Sequence, residues 1–298
     1  MKKQLFISIL ALFTFISCSK KSDGGNPESE WSVPLKVATY NIEYDNANNI
    51  ANPWSSRKIL IKEVFDRHQF DIVGVQEPYK SQLDYMLSLL PGYGFVGTDV
   101  RGESTVDKRL SVTIFYKKDR IEIKESGKFW LSETPTELSK GWDAGQYRIC
   151  TWAHAKDKAT QKEFYFFSTH LDVSGTEART KGVQLLLDTI PIIASGYPAI
   201  LVGDFNSTQN TSYYKLMVSG DNIKDTYDLT HNKVNAQRAT YNGYNAGSSS
   251  TSRIDHIFTT TVPQIRVNSW AILIEDAFTG KYGSDHFPVM AEVSFLKK

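Results

Sequence analysis

Apolar side chains recur at two spacings along the chain. Short runs rich in β-branched and aromatic residues predict strands over Val37–Ile42, Asp71–Gln76, Val112–Tyr116, Ile121–Leu131 and Arg148–Ala155. Further runs predict strands over Glu163–Leu171, Ala199–Gly203, Ile254–Thr259, Val267–Ile274 and Val289–Phe295. Three- and four-residue spacing predicts helices. Ser56–Phe70 sets Ile59, Leu60, Val64 and Phe65 on one face. Tyr79–Leu90 does the same with Leu83, Met86, Leu87 and Leu90 before Pro91-Gly92 stops it. Ser174–Ile190 opens on Ser174-Gly175-Thr176-Glu177, a capping-box pattern, and Thr211–Val218 is a fourth helix. Strands interleaved with helices predict an α/β fold with sheets covered by helices. Tyr241–Ser252, rich in Gly, Asn and Ser, predicts a mobile loop.

Both periodicities fail at the N-terminus. Leu5–Ile16 is a nearly unbroken apolar run behind Lys2 and Lys3. It falls short of the roughly 20 residues a spanning helix needs, and it reads as a signal-peptide core. The run ends Phe15-Ile16-Ser17-Cys18-Ser19, which resembles a bacterial lipoprotein cleavage site. The expected organisation is a signal peptide over residues 1–17, a lipidated flexible tether over 18–30 beginning at Cys18, and one folded domain over 31–298. On this reading the domain is exported and held at the cell envelope, periplasm-facing or on the outer-membrane surface, and meets the membrane through its lipid only. The second of the two cysteines, Cys150, lies in an apolar strand and reads as a buried structural thiol. No intrachain disulfide is then available.

Composition changes this picture little. The 34 basic and 33 acidic residues nearly balance, which excludes a strongly basic nucleic-acid coat protein but not a nuclease. With 41% hydrophobic and 22% charged residues the chain is neither disordered nor fibrous. A monomer is expected.

The informative polar residues stand at the ends of the apolar runs. Asn41 ends the first strand, and Glu77 follows Ile72-Val73-Gly74-Val75-Gln76. His170 and Asp172 end the Phe164–Thr169 run, and Asp204 and Asn206 end Ile200–Gly203. Asp255 and His256 sit inside Arg253–Phe258, and Asp285 and His286 precede Phe287-Pro288-Val289. An acid after a strand is ordinarily a turn former or a helix cap. Repeated at strand after strand, the pattern points instead to a site built where loops meet a rigid sheet. Oxygen ligands suit a hard cation such as Mg²⁺. No thiolate pair or His-Glu-x-x-His spacing offers zinc, and neither a phosphate-cradling glycine loop nor a nucleophile-elbow serine is present. The chemistry implied is metal-assisted attack of water on phosphorus.

The ordered blocks Thr39-Tyr40-Asn41-Ile42, Gln76-Glu77, Thr169-His170-Leu171-Asp172, Gly203-Asp204-Phe205-Asn206, Arg253–Phe258 and Ser284–Val289 resemble the endonuclease/exonuclease/phosphatase superfamily, the deoxyribonuclease-I-like fold. The resemblance runs from about Leu35 to Phe295. It implies a four-layer α/β sandwich of two facing, mostly antiparallel sheets flanked by helices. It also implies an enzyme, a Mg²⁺-dependent phosphoester hydrolase in which Mn²⁺ can substitute. By motif, Glu77 is the principal metal ligand, with Asn41 and Asp285 sharing the metal or its waters. Asp204 orients or deprotonates the attacking water, and Asn206 holds it. His170 and His286 donate to phosphoryl oxygens, Asp255 orients His286, and Arg148 binds phosphate.

His256 neighbours Asp255 on a strand and therefore faces the opposite way, as a structural histidine. His68, His154 and His231 read as surface or packing residues. Asp172 either touches substrate or opens the turn to Ser174. One departure stands out: many bacterial relatives carry a glutamate where this chain has no acid, at or next to Leu110. The substrate stays open. A phosphodiester, in nucleic acid or elsewhere, is the first expectation. A phosphatase or phosphodiesterase for a sugar phosphate, inositol phosphate or lipid headgroup is the alternative, with aromatic walls from Trp142, Tyr241 and Tyr244. A non-catalytic binding protein is the third.

Overall fold

The computed structural model describes residues 30–245, 250–261, 264–274 and 281–297. The signal segment, Cys18 and the tether as far as residue 29 lie outside them. One sheet holds β1 (Leu35–Asn41), β2 (Ile72–Gln76), β3 (Tyr93–Asp99), β4 (Ser111–Lys117), β10 (Lys233–Val234), β12 (Ile265–Ile272) and β13 (Val289–Phe295). Its order is β10-β12-β13-β1-β2-β4-β3. The other holds β5 (Ile121–Trp130), β6 (Ile149–Asp157), β7 (Glu163–His170), β8 (Ala199–Asp204), β9 (Ile223–Asp225) and β11 (Asp255–Thr260), in the order β5-β6-β7-β8-β11-β9. Three neighbouring pairs, β1–β2, β7–β8 and β10–β12, are parallel, and the other pairs are antiparallel.

Four layers follow from which apolar residues cluster. Leu35, Val37, Ile72 and Ile114 from the first sheet meet Ala153, Phe166, Ile200, Val202 and Ile257 from the second, so the sheets bury their inner faces on each other. On the outer face of the first sheet, Tyr40, Val73, Val75 and Phe115 pack on Ile61, Val64 and Phe65 of α1 (Trp54–His68) and on Leu83 and Met86 of α2 (Lys80–Leu89). Behind the second sheet, Tyr165, Phe167, Leu201 and Phe258 pack on Val183, Leu186 and Ile190 of α3 (Thr176–Ala194) and on Tyr214 and Met217 of α4 (Ser212–Ser219).

Strand alternation now places the chemistry. Successive side chains point to opposite faces. Asn41 therefore shares its face with Leu35 and Val37, His170 with Phe164 and Phe166, Asp204 with Ile200 and Val202, and Asp255 with Ile257. All four point between the sheets, at one end of the sandwich. Register aligns them further: Asp204 is the direct cross-strand partner of His170 on one side and of Asp255 on the other. A polar layer floors this end, where Thr39 Oγ1 donates to Gln76 Oε1 (3.1 Å) and Gln76 Nε2 donates to Ser168 Oγ (3.2 Å). The sheets approach closely below it. A Cβ on Gly74 would lie 2.4 Å from Val202 Cγ2 and 2.6 Å from Ser168 Oγ, so a side chain there would force the sheets apart.

Some local expectations change. The capping box at Ser174–Glu177 does not form: the N-cap of α3 is Gly175, with no side-chain cap of its own. The cap comes from elsewhere, as Asp143 accepts the N–H groups of Glu177 (3.2 Å) and Ala178 (2.7 Å). β3, β9 and β10 are strands that the pattern does not announce; in β3, Gly94 and Gly97 break the apolar run. The described part of Tyr241–Ser252 is anchored rather than free. Asn242 and Gly243 donate their N–H groups to Asp285 O (2.7 and 3.0 Å), and Tyr241 forms a β-bridge with His286. Residues 246–249 of that stretch lie outside the description. No helix among the described residues is long and apolar enough to cross a membrane.

Candidate active site

The strand ends and the loops after them converge on Asp204, which is 2% exposed. Its Oδ1 accepts the N–H of Asn206 (2.8 Å) and its Oδ2 accepts Asn41 Nδ2 (3.1 Å). His170 Nε2 lies 3.5 Å and His286 Nε2 3.8 Å from the same Oδ2. Asn41 Nδ2 also donates to Glu77 Oε1 (3.0 Å), and the Tyr44 N–H points at Glu77 Oε2 (3.5 Å). His286 Nδ1 is 2.9 Å from Asp255 Oδ2. Asp285 follows Ser284, whose hydroxyl donates to Asn41 O (2.7 Å) and so ties the last motif to the first. The motif residues on strands and loops far apart in sequence thus share one cluster. Glu77 and Asn206 occupy left-handed backbone at φ 73° and 45°, a conformation rare outside glycine and often found where a side chain must be aimed.

The two histidines differ in charge state. Burial would lower the His286 pKa, but Asp255 and Asp204 outweigh it and hold the ring well above its ordinary value, as an imidazolium. Burial, with Arg148 and His286 nearby, drives His170 well below its ordinary value, so its imidazole is neutral. Asn206 Nδ2 gives one hydrogen to Leu171 O (2.9 Å) and faces His170 Nε2 at 3.1 Å, so that nitrogen accepts. In this arrangement His170 braces Asn206 through Nε2, where the sequence reading has it donating to a phosphoryl oxygen. Asp204 itself is pushed up to about 7 by burial and by the charge of Asp255.

Two groups of side chains could hold a cation. Atoms of Asp204, Asp255 and His286 lie within 4.8 Å of one another. There, however, His286 carries a proton toward Asp255 and faces Asp204 with its other nitrogen, which makes the row a proton-bearing relay. Glu77 and Asp285 fit a hard cation better. Both carboxyls are raised by burial, and Asp285 raises Glu77 further. Asp285 is raised in turn by Glu43, and buried acids of this kind form the donor set that a divalent ion would neutralise.

Arg148 is held behind His170, its Nε on Asp172 Oδ2 (3.2 Å). Asp172 serves as a structural hub. It also accepts the N–H groups of Gly145 (3.1 Å), Gln146 (3.2 Å), Ser174 (3.0 Å) and Gly175 (2.8 Å). Burial would raise its pKa, but those bonds and Arg148 outweigh it and hold the carboxyl well below the usual range. A depressed pKa contributes stability above the unfolded value of about 3.9, which is lost as pH falls below it. The melting-temperature deficit of Asp172→Asn is therefore expected to be full at pH 7 and to shrink below about pH 4. A deficit constant from pH 7 to pH 3.5 would contradict this role.

The remaining candidates are structural. His256 faces away from the site, with Nδ1 3.3 Å from Asp225 Oδ2 and Nε2 2.9 Å from Ser207 O. His154 stacks on Tyr165 and His68 on Phe70. Cys150 is fully buried, and burial pushes its thiol well up, away from the reactive thiolate.

The sequence profile of the Endonuclease/Exonuclease/phosphatase family matches residues 38–286. The chain belongs to this family of phosphoester hydrolases. Solved members of similar structure include the mannosyl-6-phosphatase Bt3783 of Bacteroides thetaiotaomicron VPI-5482, 38% identical with a TM-score of 0.81, covering 87% of this chain and 99% of that one. An endonuclease/exonuclease/phosphatase from Bacteroides vulgatus is 33% identical with a TM-score of 0.81, covering 89% of this chain and all of that one. Among curated proteins, the uncharacterized protein L388 of Acanthamoeba polyphaga mimivirus is 26% identical over 249 residues, 80% of this chain and 91% of that protein. Members of this family typically depend on a divalent metal, and Asp204, Asp255 and His286 form a possible site for one.

A cleft of about 530 Å³ opens beside the family motifs, next to Glu77 through Tyr44. Tyr44, Tyr79 and Tyr147 line it together with Arg101, Lys108, Arg109 and Lys140. Leu110, at the place of the absent glutamate, also lines it. Of the aromatic residues expected at the mouth, Tyr241 stands beside His286 (5.1 Å between rings) and lines a separate depression. The Tyr244 hydroxyl is turned inward to Glu43. Trp142 donates its N–H to Glu133. Sequence reasoning passed over Arg57, which binds the loops of the site and had only its burial inside a helix to mark it.

Proposed function

We propose that the protein is a Mg²⁺-dependent phosphatase for a phosphorylated small molecule, with a sugar phosphate as the substrate class. The observation that carries this is the cleft that Tyr44 lines, its N–H facing Glu77: at about 530 Å³, with three tyrosines in its lining, it suits one small molecule. Its cations are partly spent. Arg109 pairs with Glu103 (3.0 Å) and Asp99 (3.6 Å), and Arg101 lies over the Tyr147 ring. The 38% identical relative named a mannosyl-6-phosphatase supports the same class.

Glu77, Asp285 and Asn41 would hold the Mg²⁺, which when bound supplies Lewis-acid stabilisation of phosphoryl charge. Asp204 Oδ2 takes the proton of the attacking water as the water oxygen bonds phosphorus, and Asn206, braced by His170, positions that water. The bond from phosphorus to the sugar oxygen breaks, and the sugar leaves as an alcohol with a proton from solvent. The imidazolium of His286, fixed by Asp255, gives its Nε2–H to a phosphoryl oxygen as charge builds. The distal nitrogens of Arg148 make no bond among the described residues and are left for a second phosphoryl oxygen. Lipid attachment at Cys18 would hold a monomer of this enzyme at the cell envelope.

The four cations that line the cleft favour a second reading, a phosphodiester in nucleic acid. The two separate in a rate comparison. For a phosphatase, kcat/KM on a hexose 6-phosphate exceeds that on a single-stranded oligonucleotide and changes little with KCl. Faster cleavage of the oligonucleotide, falling steeply with salt, selects the second reading.

A further inference from the structure

Arg57 lies on α1, outside every motif, and is 1% exposed. A guanidinium has five N–H donors in a rigid planar fork. Here each is used, and each ends on a backbone carbonyl. Nε donates to Asn52 O (3.0 Å). Nη1 donates to Ile42 O (2.6 Å) and Gly283 O (3.0 Å), and Nη2 to Glu43 O (3.2 Å) and Tyr44 O (3.0 Å). The carbonyls belong to two loops. One leaves β1 just after Asn41 and carries the Tyr44 N–H that points at Glu77. The other leads into Ser284 and Asp285, two residues after Gly283. A third loop joins through Glu43, whose carboxylate lies 3.5 Å from Arg57 Nη2 and accepts the hydroxyl of Tyr244. Tyr244 belongs to the segment that grips Asp285 through Asn242 and Gly243. Glu43 itself sits at φ 51°, a conformation that needs support from outside.

We infer that Arg57 is a positioning residue: its fork clasps the loop that follows Asn41, with the Tyr44 N–H that points at Glu77, to the loop that leads into Asp285, and so sets these two segments against each other before any cation arrives. This rests on the metal assignment to Glu77 and Asp285, and extends it to a residue that touches neither substrate nor cation. Loops held this way present oxygens at a set separation. Loops without the clasp must be ordered at the cost of binding energy. Lysine at this position keeps the charge but brings three donors on a flexible stem, which cannot reach both loops in one plane.

The test is Mn²⁺ binding, read by electron paramagnetic resonance without substrate, on wild type, Arg57→Lys and Arg57→Met, well below each melting temperature. Folded Arg57→Lys is expected to bind Mn²⁺ at least about tenfold more weakly than wild type, as partners behind metal ligands do when lost. Wild-type affinity in a folded Arg57→Lys or Arg57→Met, with only a lowered melting temperature, would overturn the inference and leave Arg57 a structural residue. If neither variant folds, hydrogen exchange in the metal-free wild type decides. Slow exchange at the amides of Glu43, Tyr44 and His286 in EDTA supports loops already set, and exchange as fast as in an exposed loop overturns it. Loss of Mn²⁺ binding in wild type itself would count against the metal assignment and not against the clasp.

Discussion

Asp204→Asn is expected to lower kcat on the natural phosphoester by about 10³-fold while KM changes far less. The substitution is nearly isosteric, so Oδ1 can still accept from Asn206 and the backbone register with His170 and Asp255 is kept, while the bond from Asn41 Nδ2 is lost because the new Nδ2 cannot accept it. What it removes is the oxygen that can take a proton. That oxygen lies 3.1 Å from Asn41, 3.5 Å from His170 and 3.8 Å from His286, buried where no other carboxylate could replace it without displacing one of them. The wild type should show a matching pH dependence. Burial and Asp255 push Asp204 up to about 7. Only the ionised form accepts a proton, so kcat/KM should fall as pH drops through that range, and the residual rate of Asp204→Asn should lack this limb. A variant within tenfold of wild type would remove Asp204 from proton transfer.

The second large effect concerns stability. Asp225→Ala is expected to cost about 3–5 kcal/mol in urea unfolding, because it leaves buried partners uncompensated. Asp225 Oδ2 accepts the Tyr214 hydroxyl (2.9 Å) and lies 3.3 Å from His256 Nδ1 and 3.5 Å from Arg253 Nη1. Burial would raise this carboxyl, but His256 and Arg253 outweigh it and hold it below its ordinary value. His256 in turn supports the carbonyl of Ser207, three residues beyond Asp204. The loss should therefore loosen the loop that carries Asn206. Asp225→Asn, which keeps an acceptor, should cost less. A loss under about 1 kcal/mol for Asp225→Ala would mean that the cluster relaxes without it.

These two residues mark what the sequence discloses. Asp204 was legible because it ends an apolar run and because parity on β8 sends it inward with Ile200 and Val202. The same holds for Asn41 and His170, while Asp255 interrupts its run, and the parity argument also sent His256 to the opposite face, where it lies. The helices were legible from their spacing, and α1, α2, α3 and α4 lie within a few residues of the expected bounds, although α3 runs on to Ala194 and the core face of α1 takes Ile61 with Val64 and Phe65, while Ile59, expected on that face, is exposed. What stayed hidden acts through the backbone or across long separations. Asp143 caps a helix 34 residues away, and nothing near Ser174 signals it. All five hydrogen bonds of Arg57 end on backbone carbonyls, so no side-chain motif betrays it. Tyr244 sits in a stretch whose Gly, Asn and Ser content reads as a loop, while its hydroxyl holds Glu43. The charge difference between His170 and His286 depends on burial, with Arg148 near the first ring, and on Asp255 beside the second.

The central claim is that water attacks phosphorus in a phosphorylated small molecule at Asp204. It is tested most directly by incubating the protein with Mg²⁺ and a hexose 6-phosphate in ¹⁸O-labelled water and following products by ³¹P NMR and mass spectrometry. The account predicts inorganic phosphate carrying one ¹⁸O per turnover, an unlabelled sugar hydroxyl, loss of both products with EDTA, and their release slowed about 10³-fold in Asp204→Asn. Label in the sugar hydroxyl, or phosphate release within tenfold of the wild-type rate in Asp204→Asn, would contradict it.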